Sequence, residues 1–200
     1  DGFFGPGPPG SFRNWRAVGT GDFNQDGKTD LLFQHEDGTL GVFLLNGVAL
    51  TSSMLLNPSH PGHVNWRAVA AGDLNADSKP DLVFEHTDGR LAVWLMNGTS
   101  LTSSQLVPPS ISAEAGFRIR GSGDLDGDGK TDLILQHGDG RLLYWRMSGT
   151  QRLESAALTP ATSGDPDLYL VGTVDLNGDG KIDLIFQHKN GSLSVWLMDG

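Results

Sequence analysis

A nine-residue acidic loop occurs four times in this chain, and each copy begins 51 residues after the previous one, at Asp22, Asp73, Asp124 and Asp175. A fixed period of this length is typical of arrays of small structural units that stack on one another. Four copies in one register within 200 residues favour one domain over several independent domains. The sequence therefore predicts four equivalent repeats within a single domain of 200 residues.

Each repeat contains short apolar segments separated by turn signals. In the first repeat these segments start at Trp15, Leu31 and Leu40, and the last two end near Asp37-Gly38 and Asn46-Gly47. Asp-Gly and Asn-Gly pairs between apolar runs are typical of β-hairpins rather than helices. A weaker fourth segment begins at Ala49. We therefore expect each repeat to form a four-stranded antiparallel sheet.

Both faces of these predicted strands are apolar, as the run Leu40-Gly41-Val42-Phe43-Leu44-Leu45 shows. A sheet with one solvated face would show polar alternation, so each sheet must be covered on both faces. Stacking the sheets around an axis achieves this and leaves few exposed edges. The predicted fold class is an all-β, four-blade β-propeller. Its blades lie at about 14–57, 65–108, 116–159 and 167–200. An N-terminal strand at 1–5 could complete the last blade, with the stretch 5–10 as a connector, and the alternative is that this proline- and glycine-rich stretch is a disordered leader.

The acidic loops have the composition of a calcium site. They place carboxylate or amide oxygens at positions one, three, five and nine, and three of the four have glycine at position six. Hard cations such as calcium take oxygen ligands from tight turns of this kind. Thirteen of the 24 acidic residues occupy these positions, so the rest of the chain carries a charge of +3 although the whole carries −10. The acidity therefore predicts metal sites.

The segment Gly21–Leu31 with its three copies, each followed by a strand such as Leu91–Gly98, resembles FG-GAP/VCBS-type repeats. These are the calcium-loop blades of integrin-α-like propellers and of many secreted bacterial proteins. The resemblance implies a β-propeller with calcium in the hairpin loop between the first two strands of each blade. It also implies a secreted or cell-surface location, in a bacterium. Family propellers often have about seven blades, so a closed four-blade ring, a dimer forming a larger ring and an excerpt of a longer array all stay open.

Carried over residue by residue, the resemblance assigns four side chains and one backbone carbonyl to each calcium site, the carbonyl belonging to lysine at position seven. The ligands would be Asp22, Asn24, Asp26, Lys28 and Asp30; Asp73, Asn75, Asp77, Lys79 and Asp81; Asp124, Asp126, Asp128, Lys130 and Asp132; and Asp175, Asn177, Asp179, Lys181 and Asp183. About four calcium ions per chain follow, with a structural rather than catalytic role. The second site is expected to be weakest, because Ser78 replaces glycine where such a turn needs positive φ.

Histidines and arginines also repeat with the period of the loops. The recurring histidines are His35, His86, His137 and His188, and the recurring arginines are Arg16, Arg67 and Arg118. They are candidate ligand-binding residues, since histidine exchanges protons near neutral pH and arginine binds polar groups. The competing interpretation is that each imidazole caps the second hairpin turn. The aromatics at Trp15 and Phe43 and their counterparts pose a similar choice between packing and sugar stacking.

Several function classes lack sequence support. There is no basic footprint for nucleic acid, no apolar run long enough to cross a membrane and no cysteine. Motifs of hydrolases, phosphate-binding loops and metalloproteases are missing, so we do not predict an enzyme. The favoured prediction is a calcium-stabilised binding module whose ligand is a glycan. A protein-binding adhesion module, an enzyme or accessory domain of a polysaccharide-active protein, a structural spacer and a homo-oligomer stay open.

Overall fold

The computed structural model describes residues 14–108 and 116–199, and these form fifteen β-strands. The first sheet contains β1 (Trp15–Gly21), β2 (Asp30–His35), β3 (Leu40–Asn46) and β4 (Ala49–Leu55). The second contains β5 (Trp66–Gly72), β6 (Asp81–His86), β7 (Leu91–Asn97) and β8 (Ser100–Val107). The third contains β9 (Phe117–Gly123), β10 (Asp132–His137), β11 (Arg141–Ser148) and β12 (Gln151–Thr162). The fourth contains β13 (Leu168–Val174), β14 (Asp183–His188) and β15 (Leu193–Trp196).

The strands of every sheet are hydrogen-bonded in chain order, so each sheet is a simple antiparallel meander. This confirms the predicted fold class, an all-β propeller of four blades. The first three sheets have four strands, and the fourth has three in the described part of the chain. Residues 1–5, predicted to supply its outer strand, lie outside the described residues. No helix that could span a lipid bilayer is found in the described ranges.

A bulge recurs in the first strand of every sheet. The pairing of β1 with β2 slips between Ala17 and Gly19, and the same slip occurs at the equivalent positions of β5, β9 and β13. A bulge inserts one unpaired residue and turns the following side chains to the other face. No pattern in the sequence predicted this bulge.

The described residues fall into two compact units. The first comprises the residues up to Gly72 together with Asp77–Leu106, and the second comprises Asp73–Ala76 and the residues from Val107 onward. Buried side chains of the first two sheets form the core of the first unit, including Leu40, Val42 and Phe84. Those of the last two sheets form the core of the second, including Leu142 and Phe186. Apolar residues thus fill the space between successive sheets within each unit.

Candidate functional site

Each acidic loop joins the first strand of its sheet to the second, as predicted. The carboxylate at position one lies inside the loop and accepts backbone N–H groups. Asp22 accepts from the amide nitrogens of Asp26 at 3.0 Å and Gly27 at 2.7 Å. Asp124 and Asp175 accept in the same way from Gly129 and Gly180, both at 2.8 Å. The turn is therefore wound around its first acidic side chain.

Positive φ angles at position six confirm the expectation about glycine. Gly27, Gly129 and Gly180 have φ angles of 79°, 81° and 81°, and Ser78 is held at 64°. Position four is also left-handed, at 61° for both Gln25 and Ala76 and 78° for both Gly127 and Gly178. The second loop therefore holds two non-glycine residues in a conformation that L-residues rarely adopt. The third and fourth loops hold none at these positions.

The third loop brings three carboxylates together. One oxygen from each of Asp124, Asp126 and Asp128 lies within 4.8 Å of the others. This all-oxygen donor set on a flexible turn fits a hard cation and does not fit one that prefers nitrogen or sulfur. In the other loops asparagine stands at position three and offers an amide oxygen instead.

The extra acid of the third loop has its own counter-ion. Arg146 Nε lies 2.7 Å from Asp126 Oδ2, and its NH1 lies 3.3 Å from Glu154. Leucine occupies the position of Arg146 in the other three repeats, where position three of the loop is asparagine. The negative charge that Asp126 adds to this loop is thus balanced by a neighbouring arginine.

The aspartate at position nine is buried in all four repeats and ties the loop to the third strand. Asp30 accepts from the amide nitrogen of Phe23 at 3.0 Å with one oxygen and from that of Leu45 at 2.9 Å with the other. Asp132 and Asp183 repeat both bonds, and Asp81 accepts from Met96 at 2.8 Å. Each oxygen keeps a further lone pair, so metal ligation stays compatible with this structural role.

The carboxyl group of Asp132 is a weaker acid than an ordinary aspartate. Burial raises its pKa to about 6, and the carboxylates of Asp126 and Asp128 raise it as well, while hydrogen bonds from Met147 and Leu125 oppose the rise. The lysines at position seven use their amide nitrogens to bond the aspartate at position five, as Lys28 does to Asp26 at 2.9 Å. Their carbonyl ligation stays a prediction.

The recurring histidines sit at the second hairpin turn. Nδ1 of each imidazole lies 3.1 to 3.3 Å from the backbone nitrogen two residues later. The rings of His35, His86 and His137 also pack against Trp15, Trp66 and Phe117, with ring centroids 5.0, 4.8 and 5.1 Å apart. This geometry supports the capping interpretation. It also explains why histidine recurs with the fold.

The aromatic residues of the third strands serve packing. Trp94 and Trp145 are buried, and the rings of Phe43, Trp94 and Trp196 each pack against a phenylalanine of the neighbouring strand. Sugar stacking on the two buried tryptophans would require their surroundings to open. The stacking alternative therefore has no support at Trp94 and Trp145.

A polar cleft of about 340 Å³ lies between the first two sheets, within the first unit. It brings together three of the candidate ligand-binding residues, His35, Arg16 and Arg67, and adds Asn65 and Trp66. Burial lowers the pKa of Arg16 to about 10, with the charge of Arg67 as the second cause. Arg118 instead donates to the carbonyl of its neighbour Phe117 at 2.8 Å. The cleft thus gathers residues of the first two repeats.

Two further features of the second unit were not predicted from the sequence. A cavity of about 370 Å³ in the second unit adjoins the third loop and is lined by Asp126, Tyr144 and Arg146 among apolar side chains. Asp165, Asp167 and His188 form a cluster whose ligand atoms lie within 4.8 Å of one another. Lys189 contacts Asp167 at 3.4 Å and His188 contacts Asp165 at 3.3 Å, so the cluster already has internal partners.

Glutamine before the recurring histidine links one sheet to the next. Gln34 donates to the carbonyl of Trp66 at 3.0 Å and accepts from the nitrogen of Ala68 at 2.9 Å. Gln136 makes the same two bonds to Leu168 and Leu170, at 2.7 and 2.9 Å. The repetition of glutamine was visible in the sequence, but its partners were not.

A family profile for the FG-GAP-like repeat matches residues 22–84 and 124–186, which is more than half of the chain. The chain belongs to the FG-GAP-like repeat family. Each matched segment starts at position one of an acidic loop and includes the next loop, so the family signature coincides with the loop and strand geometry described above.

Similarity to individual proteins is more distant. Cartilage acidic protein 1 of Mus musculus is 24% identical over 190 residues, covering 86% of this chain and 28% of the relative. The Xenopus tropicalis protein of the same name is 30% identical over 143 residues, covering 64% of this chain and 21% of the relative. The chain thus spans about a quarter of these relatives. The computationally designed Ika4 protein matches with a TM-score of 0.40 at 15% identity, covering 92% of this chain and 91% of its own.

Proposed function

We propose that this FG-GAP-like propeller is a secreted or cell-surface binding module, stabilised by calcium, whose ligand is a glycan. The observation that carries the proposal is the cleft of the first unit, where Arg67 and the Asn65 amide make no side-chain hydrogen bond to any described residue. Planar polar groups beside an aromatic ring are what a sugar needs from a shallow site. Trp66 lines the cleft, and its ring also packs against His86 and lies 5.6 Å from the guanidinium of Arg90.

Calcium would be held by the acidic loops and would act on stability. Its charge would offset the repulsion among the loop carboxylates, and binding only to the folded chain stabilises by mass action. The close carboxylates of Asp124, Asp126 and Asp128 support this part of the proposal. The cleft itself contains no such cluster among its lining residues, so calcium would stabilise the scaffold rather than contact the ligand.

A glycan-array screen on calcium-saturated protein tests the proposal. We expect Asn65→Ala to weaken the binding of any glycan found, because the amide is available to sugar hydroxyls. Asn97→Ala is the matched control, since Asn97 is exposed and is not among the residues that line the cleft. An array with no binding, or equal losses in the two variants, would remove the proposed site.

Protein recognition is a second candidate, favoured by exposed apolar side chains on the fourth sheet. Leu193 and Val195 are 67% and 47% exposed, whereas the residues equivalent to Leu193 in the other sheets, namely Leu40, Leu91 and Leu142, are fully buried. Contiguous exposed apolar side chains of this kind mark interaction surfaces. The partner that fits is a second copy of this chain, because its own repeats bury the same positions against a neighbouring sheet.

Sedimentation over a range of protein concentrations tests this candidate. Self-association should disappear in Leu193→Glu and persist in Val48→Glu, which adds the same charge at a fully exposed turn residue. A protein that stays monomeric at every concentration would rule the candidate out.

A further inference from the structure

The arginines of the cleft differ from several others in their partners. Arg90, Arg141 and Arg146 each lie 2.7 to 2.9 Å from a carboxylate oxygen. Arg16 and Arg67 have no ion pair with any residue in the ranges 14–108 and 116–199. Surface arginines in an acidic protein readily find carboxylates. The two arginines that line the cleft thus have no counter-ion among the described residues.

Arg16 is held in place by neutral acceptors. Its NH2 donates to the carbonyl of Ala68 at 2.7 Å and to the side-chain oxygen of Gln34 at 3.2 Å. These bonds fix the guanidinium at the cleft but do not neutralise it. Partial burial of an unpaired cation is unfavourable, as the lowered pKa of Arg16 reflects. An anion entering the cleft would relieve this cost.

The remaining polar groups of the cleft suit a sugar rather than a bare ion. The Asn65 amide can both donate to and accept from hydroxyl groups. Glu36 is the acidic side chain among the lining residues, and its carboxylate accepts a 2.8 Å hydrogen bond from the side-chain amide of Asn14. With Arg16, Arg67 and Glu36 ionised, the lining carries a net charge of about +1 in a chain whose formal charge is −10.

We propose that this cleft binds an acidic sugar, with the sugar carboxylate placed against Arg16 and Arg67 and its hydroxyl groups against Asn65. The inference rests on the proposed glycan-binding function and names the ligand class for the same site. Arginine favours a carboxylate because its planar fork can donate two parallel hydrogen bonds.

Calorimetric titration of the calcium-loaded protein with trigalacturonate tests the proposal. Its methyl ester, which has the same ring and hydroxyl groups but no charge, is the matched ligand. Arg67→Gln should weaken trigalacturonate binding about tenfold, because it removes a hydrogen bond between charged groups. Arg120→Gln is the matched variant, since Arg120 is an exposed arginine on a first strand and is not among the cleft residues. It should change binding less than about twofold.

The outcomes separate this inference from the proposed function. The acidic subsite is supported if the methyl ester binds more weakly than trigalacturonate and if Arg67→Gln weakens the binding of trigalacturonate. Equal binding of acid and ester, or binding of neutral glycans alone, overturns the subsite while glycan binding stands. Absence of any glycan binding overturns both. Binding of hexaglutamate with the affinity of trigalacturonate would show that the cleft recognises acidic peptides, which overturns the sugar assignment.

Discussion

The amide nitrogen of Met147 donates a 2.9 Å hydrogen bond to Oδ1 of Asp132, a carboxyl group buried beneath the third acidic loop. Burial raises the pKa of this group to about 6, above its ordinary value of 3.8. Between these values the folded chain therefore binds more protons than the unfolded chain, and its stability rises as the pH falls.

We expect the metal-free protein in chelator to become more stable as the pH is lowered from about 7 to 5. Thermal unfolding across this range measures the effect, with Asp132→Asn as the variant that should lose it. Calcium should reverse the trend, because the cation and the proton compete for the loop carboxylates. A metal-free wild type that behaves like Asp132→Asn would contradict the assignment.

Ser78→Gly should stabilise the second acidic loop. Ser78 has a φ angle of 64°, a conformation that glycine adopts at lower free-energy cost than serine. Glycine also gives the unfolded chain more entropy, which offsets part of this gain, so we expect the free energy of unfolding to rise by about 0.5–1 kcal/mol. Gly27→Ser is the reciprocal control. A side-chain carbon at Gly27 would meet nothing within 4 Å, so any loss there comes from the backbone alone. Chemical denaturation of both variants should give changes of opposite sign.

Gln34→Leu should destabilise the first unit by about 1–3 kcal/mol, since it leaves the carbonyl of Trp66 and the N–H of Ala68 without their amide partner. Gln187 occupies the equivalent position of the fourth repeat. Its side chain is exposed and makes no hydrogen bond to any residue that the structure describes. Gln187→Leu should therefore be nearly neutral in urea unfolding. Similar losses in both variants would show that the bridge contributes little.

Metal analysis should find about four calcium ions per chain after dialysis against calcium, or about three if the strain in the second loop prevents binding. Thermal unfolding in calcium and in chelator should show a higher midpoint with the metal, because it binds only the folded loops. Magnesium at equal concentration is the control for ionic strength and for charge alone. Protein without bound calcium and without a thermal shift would refute the calcium assignment.

The turn chemistry made much of the fold predictable. Asp-Gly and Asn-Gly pairs and the period of the loops gave the strand order, because hairpins are short-range structures encoded by neighbouring residues. The positive φ at position six followed from Gly27 in the same way. The positive φ at position four was not predicted, because only the third and fourth loops have glycine there, at Gly127 and Gly178. The first two loops have Gln25 and Ala76, which give no sign of a left-handed conformation.

The long-range contacts of the site could not be predicted. Gln34 finds its partners 32 and 34 residues later, on the first strand of the next sheet, and no local pattern encodes that approach. The cleft depends on the same approach, since it gathers Arg16 and Arg67 from equivalent positions of two repeats. The sequence identified these residues as recurrent, but not which of them would lack a carboxylate.

The glutamine bridges reach main-chain atoms, and a main-chain atom is present whatever side chain its residue carries. Trp66 and Ala68 occupy the two receiving positions in one unit, whereas Leu168 and Leu170 occupy them in the other, yet both pairs receive the same two bonds. A copied repeat can therefore diverge at these positions without losing its attachment to its neighbour. Duplication followed by drift is thereby tolerated at the receiving positions of both bridges.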